Sequence, residues 1–172
     1  MQPGNVTAAL VEFARHKLLE EYWPRLRASV ESLTDEQVWW RPNDSSNSVG
    51  NLILHLDGNV RQWLVTPLTH GEDARDRPAE FAERQSIPAS ELLDTLGHTM
   101  QEVTVVFPRI SESHLLATFR IQGYTVSGLE AVCHVVEHFA MHYGQIVYIT
   151  KLLRGADLGF YRELNQTGRL GE

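Results

Sequence analysis

Apolar residues recur at helical spacing over four long stretches of this chain. In the first, Leu10, Phe13, Leu18, Tyr22, Leu26, Val30 and Leu33 form a stripe that predicts a helix over 6–33. Pro24 falls inside it and predicts a bend or a split there. The run from Arg41 to Ser48 is turn chemistry throughout, after which Asn47 or Ser48 can cap a second helix over 49–65. Its stripe is Val49, Leu52, Ile53, Leu56, Val60, Trp63 and Leu64, and His55 sits on that stripe rather than opposite it. Residues 66–87 carry many charges, Pro67 and Pro78, and little periodicity. They predict a loop with a short helical turn near 79–84. Leu92, Leu93, Leu96, Met100, Val103 and Phe107 predict a third helix that begins at Pro88 and is stopped by Pro108. Residues 115–126 favour extended structure, and Gly123 allows a hairpin turn. Ser127-Gly128-Leu129-Glu130 is a capping-box pattern that opens a fourth helix, which ends with Arg154 before Gly155.

Four long amphipathic helices predict an all-α four-helix bundle with a short extended or hairpin segment before the last helix. The length of 172 residues predicts one domain, 1–172, with its core over about 6–155 and a tail over 156–172. The charge is 15 − 22 = −7, which repels phosphate backbones and excludes generic nucleic-acid or anionic-membrane binding. A lone cysteine, Cys133, excludes an intrachain disulfide and any multi-cysteine metal cluster, and is expected to be buried and inert. No stretch reaches the ~18 apolar residues of a membrane span, and no targeting pattern opens the chain, so a cytoplasmic location is expected.

The eight histidines are not randomly placed. His134, His138 and His142 follow one another at intervals of four on the last helix. Each step advances the side-chain direction by about 40° beyond a full turn, so neighbours share a face while His134 and His142 diverge by about 80°. An adjacent pair supplies half a tetrahedral metal site, and His55 on the inward face of the second helix is the obvious third donor. A single histidine in a core is ordinarily a hydrogen-bonded packing residue. Several on otherwise apolar helices would leave many ring nitrogens to satisfy without an ion. His134-Val135-Val136-Glu137-His138 also fits the H-x-x-E-H pattern of inverted zinc proteases. That reading is set aside, because only 34 residues follow His138 in which a further ligand could lie.

Three segments carry a resemblance to a known family. Ser48-Val49-Gly50-Asn51-Leu52-Ile53-Leu54-His55-Leu56 resembles the second-helix motif of the DinB/YfiT-like superfamily. The run from His134 to Ile146, with His138, His142, Gly144 and Gln145, resembles its last-helix motif, and Trp39-Trp40-Arg41-Pro42 fits the approach to the second helix. The resemblance spans about residues 8–155, and within the superfamily the chain is similar to a DUF1572-type bacterial subfamily of unknown function. It implies a four-helix bundle holding a divalent metal on His55, His138 and His142, with His134 outside the triad as a core or supporting histidine.

Around the triad, Gln145 is positioned to orient a ligand or metal-bound water. Gly144 is expected to allow close helix approach or a path to the site, and Glu137 to face solvent. Asp57 and Asn59 are expected to point away from His55 toward solvent. Trp63 and Tyr148 are expected to pack in the core or line a pocket, and Trp39 and Trp40 to anchor packing. Three imidazoles suit zinc, nickel, iron or copper; zinc or nickel is the expected ion, with iron next. An open ion of this kind activates water or lowers the pKa of a bound thiol. Characterised superfamily members include enzymes that use low-molecular-weight thiols. The resemblance therefore implies a metal-dependent thiol S-transferase or related detoxification enzyme, with a small-molecule substrate and a homodimeric assembly. The alternatives are a metal-dependent hydrolase and a non-catalytic metal- or ligand-binding module.

Overall fold

The computed structural model describes residues 5–84 and 87–162. The last ten residues of the expected tail, 163–172, lie outside the described residues.

The first helical stretch is continuous in path but not in winding. Helix α1, Val6–Arg15, is capped by the Asn5 side chain, passes through a wide π turn at His16–Tyr22, and continues as α2, Trp23–Glu31. Pro24 lies in the first turn of α2. Its ring cannot donate to, and crowds, the carbonyl four residues back, and a widened turn just upstream relieves that conflict. The π turn also shifts the inward face. Phe13, expected on the stripe, is 53% exposed, and Ala14 is buried in its place.

Thr34 and Gln37 form a capping box that opens a short helix, α3, Asp35–Trp39, inside a stretch without long-range periodicity. Helix α4, Val49–Val60, is opened by the Ser48–Asn51 capping box, continues through a second π turn at Arg61–Val65, and ends in α5, Thr66–Thr69. The charged segment that follows holds α6, Arg77–Ala82, capped by Asp76. Helix α7, Ala89–Val106, passes into a 3-10 turn at Phe107–Arg109. Helix α8, Glu112–Leu116, is another short capped helix, set by Ser111 and His114.

Strands β1, Thr118–Ile121, and β2, Tyr124–Ser127, pair antiparallel with Ile121 opposite Tyr124. Gln122 and Gly123 both have positive φ, which suits the two-residue turn of a tight hairpin. Helix α9, Gly128–Arg154, starts at the Ser127–Glu130 capping box and stops at Gly155, which adopts the left-handed conformation.

Helix α4 packs against both α7 and α9, and α2 packs against the same two helices. Their inward residues form one cluster that includes Leu18, Leu26, Leu56, Leu96, Phe139 and Ile146, each essentially without solvent contact. Burial of such a side chain stabilises the fold by roughly 1.5–3 kcal/mol. The apolar stripes expected on the second and third helices are buried throughout. Among the described residues, no helix is long and apolar enough to cross a membrane.

Gly128 marks the tightest joint between the hairpin and α9. Its N–H donates to the Ala117 carbonyl at 3.0 Å, and any Cβ there would run into the carbonyl of His114. The obstacle is backbone and cannot swing aside. Gly128→Ala should therefore destabilise the protein by about 1–3 kcal/mol. Chemical denaturation would show this as a lowered midpoint, and an unchanged midpoint would refute the close approach.

A candidate metal centre between two helices

His55 comes from α4, and His138 and His142 come from successive turns of α9. Their ligating atoms all lie within 4.8 Å of one another. His55 Nε2 and His138 Nε2 are 2.8 Å apart, and the His55 and His142 rings meet edge-on with centroids 5.0 Å apart. Two nitrogens bound to one tetrahedral ion at about 2.0–2.1 Å stand roughly 3.3 Å from each other, and the His55–His138 pair is drawn to about that separation. His55 and His142 are buried and His138 is half-buried. These three histidines can hold a metal.

Two of the rings are oriented through their second nitrogen. His55 Nδ1–H donates to Glu80 Oε2 at 2.8 Å, which leaves Nε2 as the lone-pair donor. His142 Nδ1–H donates to Gln145 Oε1 at 2.7 Å, which leaves its Nε2 free to ligate. Glu80 is itself held by Arg75, whose Nε donates to Oε1 at 2.6 Å and whose Nη2 donates to Oε2 at 2.9 Å. Arg75 Nη1 donates to Gln62 Oε1, and Gln62 Nε2 donates to Asp73 Oδ2. A chain of charge-assisted bonds thus runs from Asp73 to the His55 ring.

Helix α6 makes this arrangement by seating on α4. Asn51 caps α4 with its oxygen and uses its amide nitrogen to hold the carbonyls of Glu80 and Glu83 at 2.9 and 3.1 Å. Gly58 leaves room for the Glu80 and Arg75 side chains, which a Cβ would displace. Burial alone would raise the Glu80 carboxyl, but the bonds from Arg75 and His55 outweigh it and hold it below its usual pKa.

Burial drives the His138 and His142 rings toward the neutral form. His138 is pushed down to about 3, first by desolvation and then by His142, His55, His134 and Arg75. His142 is lowered mainly by desolvation, against the opposing bond to Gln145. These folded values lie below the usual 6.5, so the unfolded chain takes up protons first as pH falls. The metal-free protein should therefore hold its full stability from these groups above about pH 6.5 and lose it between there and about pH 3. Denaturant midpoints at pH 7.5 and 5 should differ in that direction, and His138→Gln should reduce the difference. Identical pH dependence in the variant would show that His138 is not held neutral.

His134 stays out of the triad. Its ring stacks on Trp63 at 3.9 Å, and its Nε2 accepts from Asn59 Nδ2 at 3.1 Å. Glu137 is exposed, as expected from its position on the helix.

Several neighbours depart from the sequence expectations. Asn59 is buried rather than solvent-facing, because the i, i+4 advance from His55 turns it toward α9. Asp57 accepts from Thr99 on α7 and is not free in solvent. Cys133 is exposed, since it lies on the outer face between buried Val132 and half-buried His134. Tyr148 is 70% exposed. Gly144 is exposed, and a Cβ there would meet nothing within 4 Å, so close helix approach does not explain it. Trp39 does anchor packing, through a 2.8 Å bond from Nε1 to the Ile87 carbonyl, whereas Trp40 is 36% exposed.

The structure thus defines a mostly helical protein whose α4–α9 seam carries a buried histidine cluster. Its family is the one described as "Protein of unknown function (DUF1572)": the family profile matches residues 5–162, and the chain belongs to that family. A crystal structure of a conserved protein from Enterococcus faecalis aligns with a TM-score of 0.69 at 18% identity, covering 88% of this chain and 99% of that one. At that identity the likeness shows a shared fold. No curated protein matches the chain.

Proposed function

We propose that this chain is a divalent-metal-dependent enzyme of the DinB/YfiT-like four-helix-bundle type, and that it joins a low-molecular-weight thiol through its sulfur to an electrophile. His55, His138 and His142 would hold the ion, zinc or nickel by preference and iron next. The observation that carries this reading is the convergence of three imidazoles, with the second nitrogens of His55 and His142 bonded to Glu80 and Gln145. A divalent ion on three protein ligands keeps open coordination positions and lowers the pKa of a thiol bound there.

Glu80 favours thiol transfer over hydrolysis. Hydrolysis through metal-bound water benefits from a nearby free base. Glu80 approaches the triad, but both its oxygens are engaged by Arg75 and His55. Its role is to orient His55. Gln145 does the same for His142 without adding charge. In the transfer, the thiol loses its proton to solvent, its sulfur forms a bond to the electrophilic carbon, and the leaving group departs with its electron pair.

The test supplies monochlorobimane with a panel of thiols to the metal-loaded protein. Acceleration by a thiol that disappears in His142→Ala supports the reading. No acceleration by any thiol, with ester or amide hydrolysis lost in the same variant, would move the protein to the hydrolases.

We further propose a homodimer through the groove that carries Trp40, Met141, Tyr148 and Leu152, whose large apolar side chains are all exposed. Light scattering that returns the 19.5 kDa mass of one chain would remove that part.

A further inference from the structure

A cleft of about 570 Å³ opens beside the triad, with His55 and His138 in its wall. Two arginines line it, and they differ in their partners. Arg75 is buried and bound to Glu80. Arg77 is exposed and has no carboxylate partner among the described residues. Its guanidinium lies over the Phe81 ring at 4.9 Å, and Phe81 in turn packs on His55 with centroids 4.6 Å apart. Phe81 thus lies between the Arg77 cation and the His55 ring, touching both.

Two residues of the lining also carry a buried polar atom with no hydrogen-bond partner among the described residues. Trp63 Nε1 is a donor and Asn59 Oδ1 an acceptor, on side chains that are 6% and 3% exposed. Trp63 lies in the π turn at Arg61–Val65, a type of distortion frequent at functional sites. A buried polar atom left unpaired costs free energy that a ligand bonding to it would recover. The other charge in the lining is negative. Glu130 is tied to Ser127, and it lies 12 residues before His142, about 18 Å along the helix. An anionic group is thus favoured at the Arg77 end and disfavoured at the Glu130 end.

We propose that this cleft is the substrate pocket and that it selects a small thiol bearing a carboxylate, with the carboxylate paired to Arg77 and polar groups bonded to Trp63 Nε1 and Asn59 Oδ1. The thiol half of this assignment rests on the metal-dependent function proposed above. The carboxylate half rests on Arg77, Trp63 and Asn59.

The experiment compares 3-mercaptopropionate with 2-mercaptoethanol on Co(II)-loaded protein, read by thiolate-to-cobalt charge-transfer absorption. The carboxylate thiol should bind about tenfold more tightly, as expected for one charge-assisted pair at a partly exposed site. Arg77→Gln should bring the ratio close to unity, and Arg77→Lys should keep part of it. A ratio near unity in the wild type, or one that survives Arg77→Gln, overturns the proposal. If neither cobalt nor zinc, nickel or iron binds, the metal reading fails by itself. The metal-free protein then decides the pocket through the Trp63 indole N–H resonance, assigned with Trp63→Phe. Addition of 3-mercaptopropionate should shift it in the wild type and not in Arg77→Gln. No shift in the wild type, or an equal shift in the variant, overturns the carboxylate site.

Discussion

His55→Ala should weaken divalent-metal binding by at least about 100-fold, because loss of a supporting partner alone already costs roughly 10–100-fold and this change removes a ligand. His138 and His142 share one helix and would remain as a two-nitrogen chelate with no donor from the facing side. His55 is the α4 contribution, 3% exposed and aimed at His138 across the seam. The Arg75–Glu80 pair does not need the ring, so the helices should stay assembled in the variant. Competition against a chelating dye, with circular dichroism as the check on folding, separates the two effects. Wild-type affinity in a folded His55→Ala protein would mean that the site is not built across α4 and α9.

Glu80→Ala should have the second large effect, and on two quantities at once. The Arg75 and Glu80 side chains are only 4% and 10% exposed, and removing the carboxylate leaves a buried guanidinium without its counter-charge. Breaking a buried pair from one side typically costs about 3–5 kcal/mol. The same change frees His55 Nδ1, so metal affinity should fall by about 10–100-fold. Glu80→Gln keeps the shape and one acceptor, and should lose less of both. Denaturation midpoints and metal affinity should therefore decline in the same order, wild type, Gln, Ala. Full affinity in a destabilised Glu80→Ala protein would confine Glu80 to a purely structural role.

The two predictions also mark where sequence periodicity carries information and where it stops. His55 was legible because the stripe from Val49 to Leu64 fixes the inward face of α4, and a histidine on that face is conspicuous. His138 and His142 were legible because an i, i+4 pair projects from one side of a helix. The hairpin at 118–127 was legible from its β-favouring residues and Gly123.

Glu80, Arg75 and Gln62 were not legible as a group. Two of them sit in a charged segment with little periodicity, and what joins them is the seating of α6 on α4 through Asn51, a tertiary contact. A local signal did exist, since Asp76 followed by Arg77-Pro78 is a helix start. The Thr34-x-x-Gln37 box before α3 was a signal of the same kind. The exposure of Phe13 could not be read from spacing, because the π turn shifts the helical phase without leaving a mark in the pattern.

The metal content of the protein, purified without a tag and without a nickel column, tests the metal centre most directly. Elemental analysis should find a stoichiometric divalent ion in the wild type and in His134→Ala, and little or none in folded His55→Ala, His138→Ala or His142→Ala. A metal-free wild type that also fails to take up zinc, nickel, iron or cobalt when these are supplied would contradict the site. Loss of the ion in His134→Ala with retention in His142→Ala would replace the triad by the H-x-x-E-H arrangement.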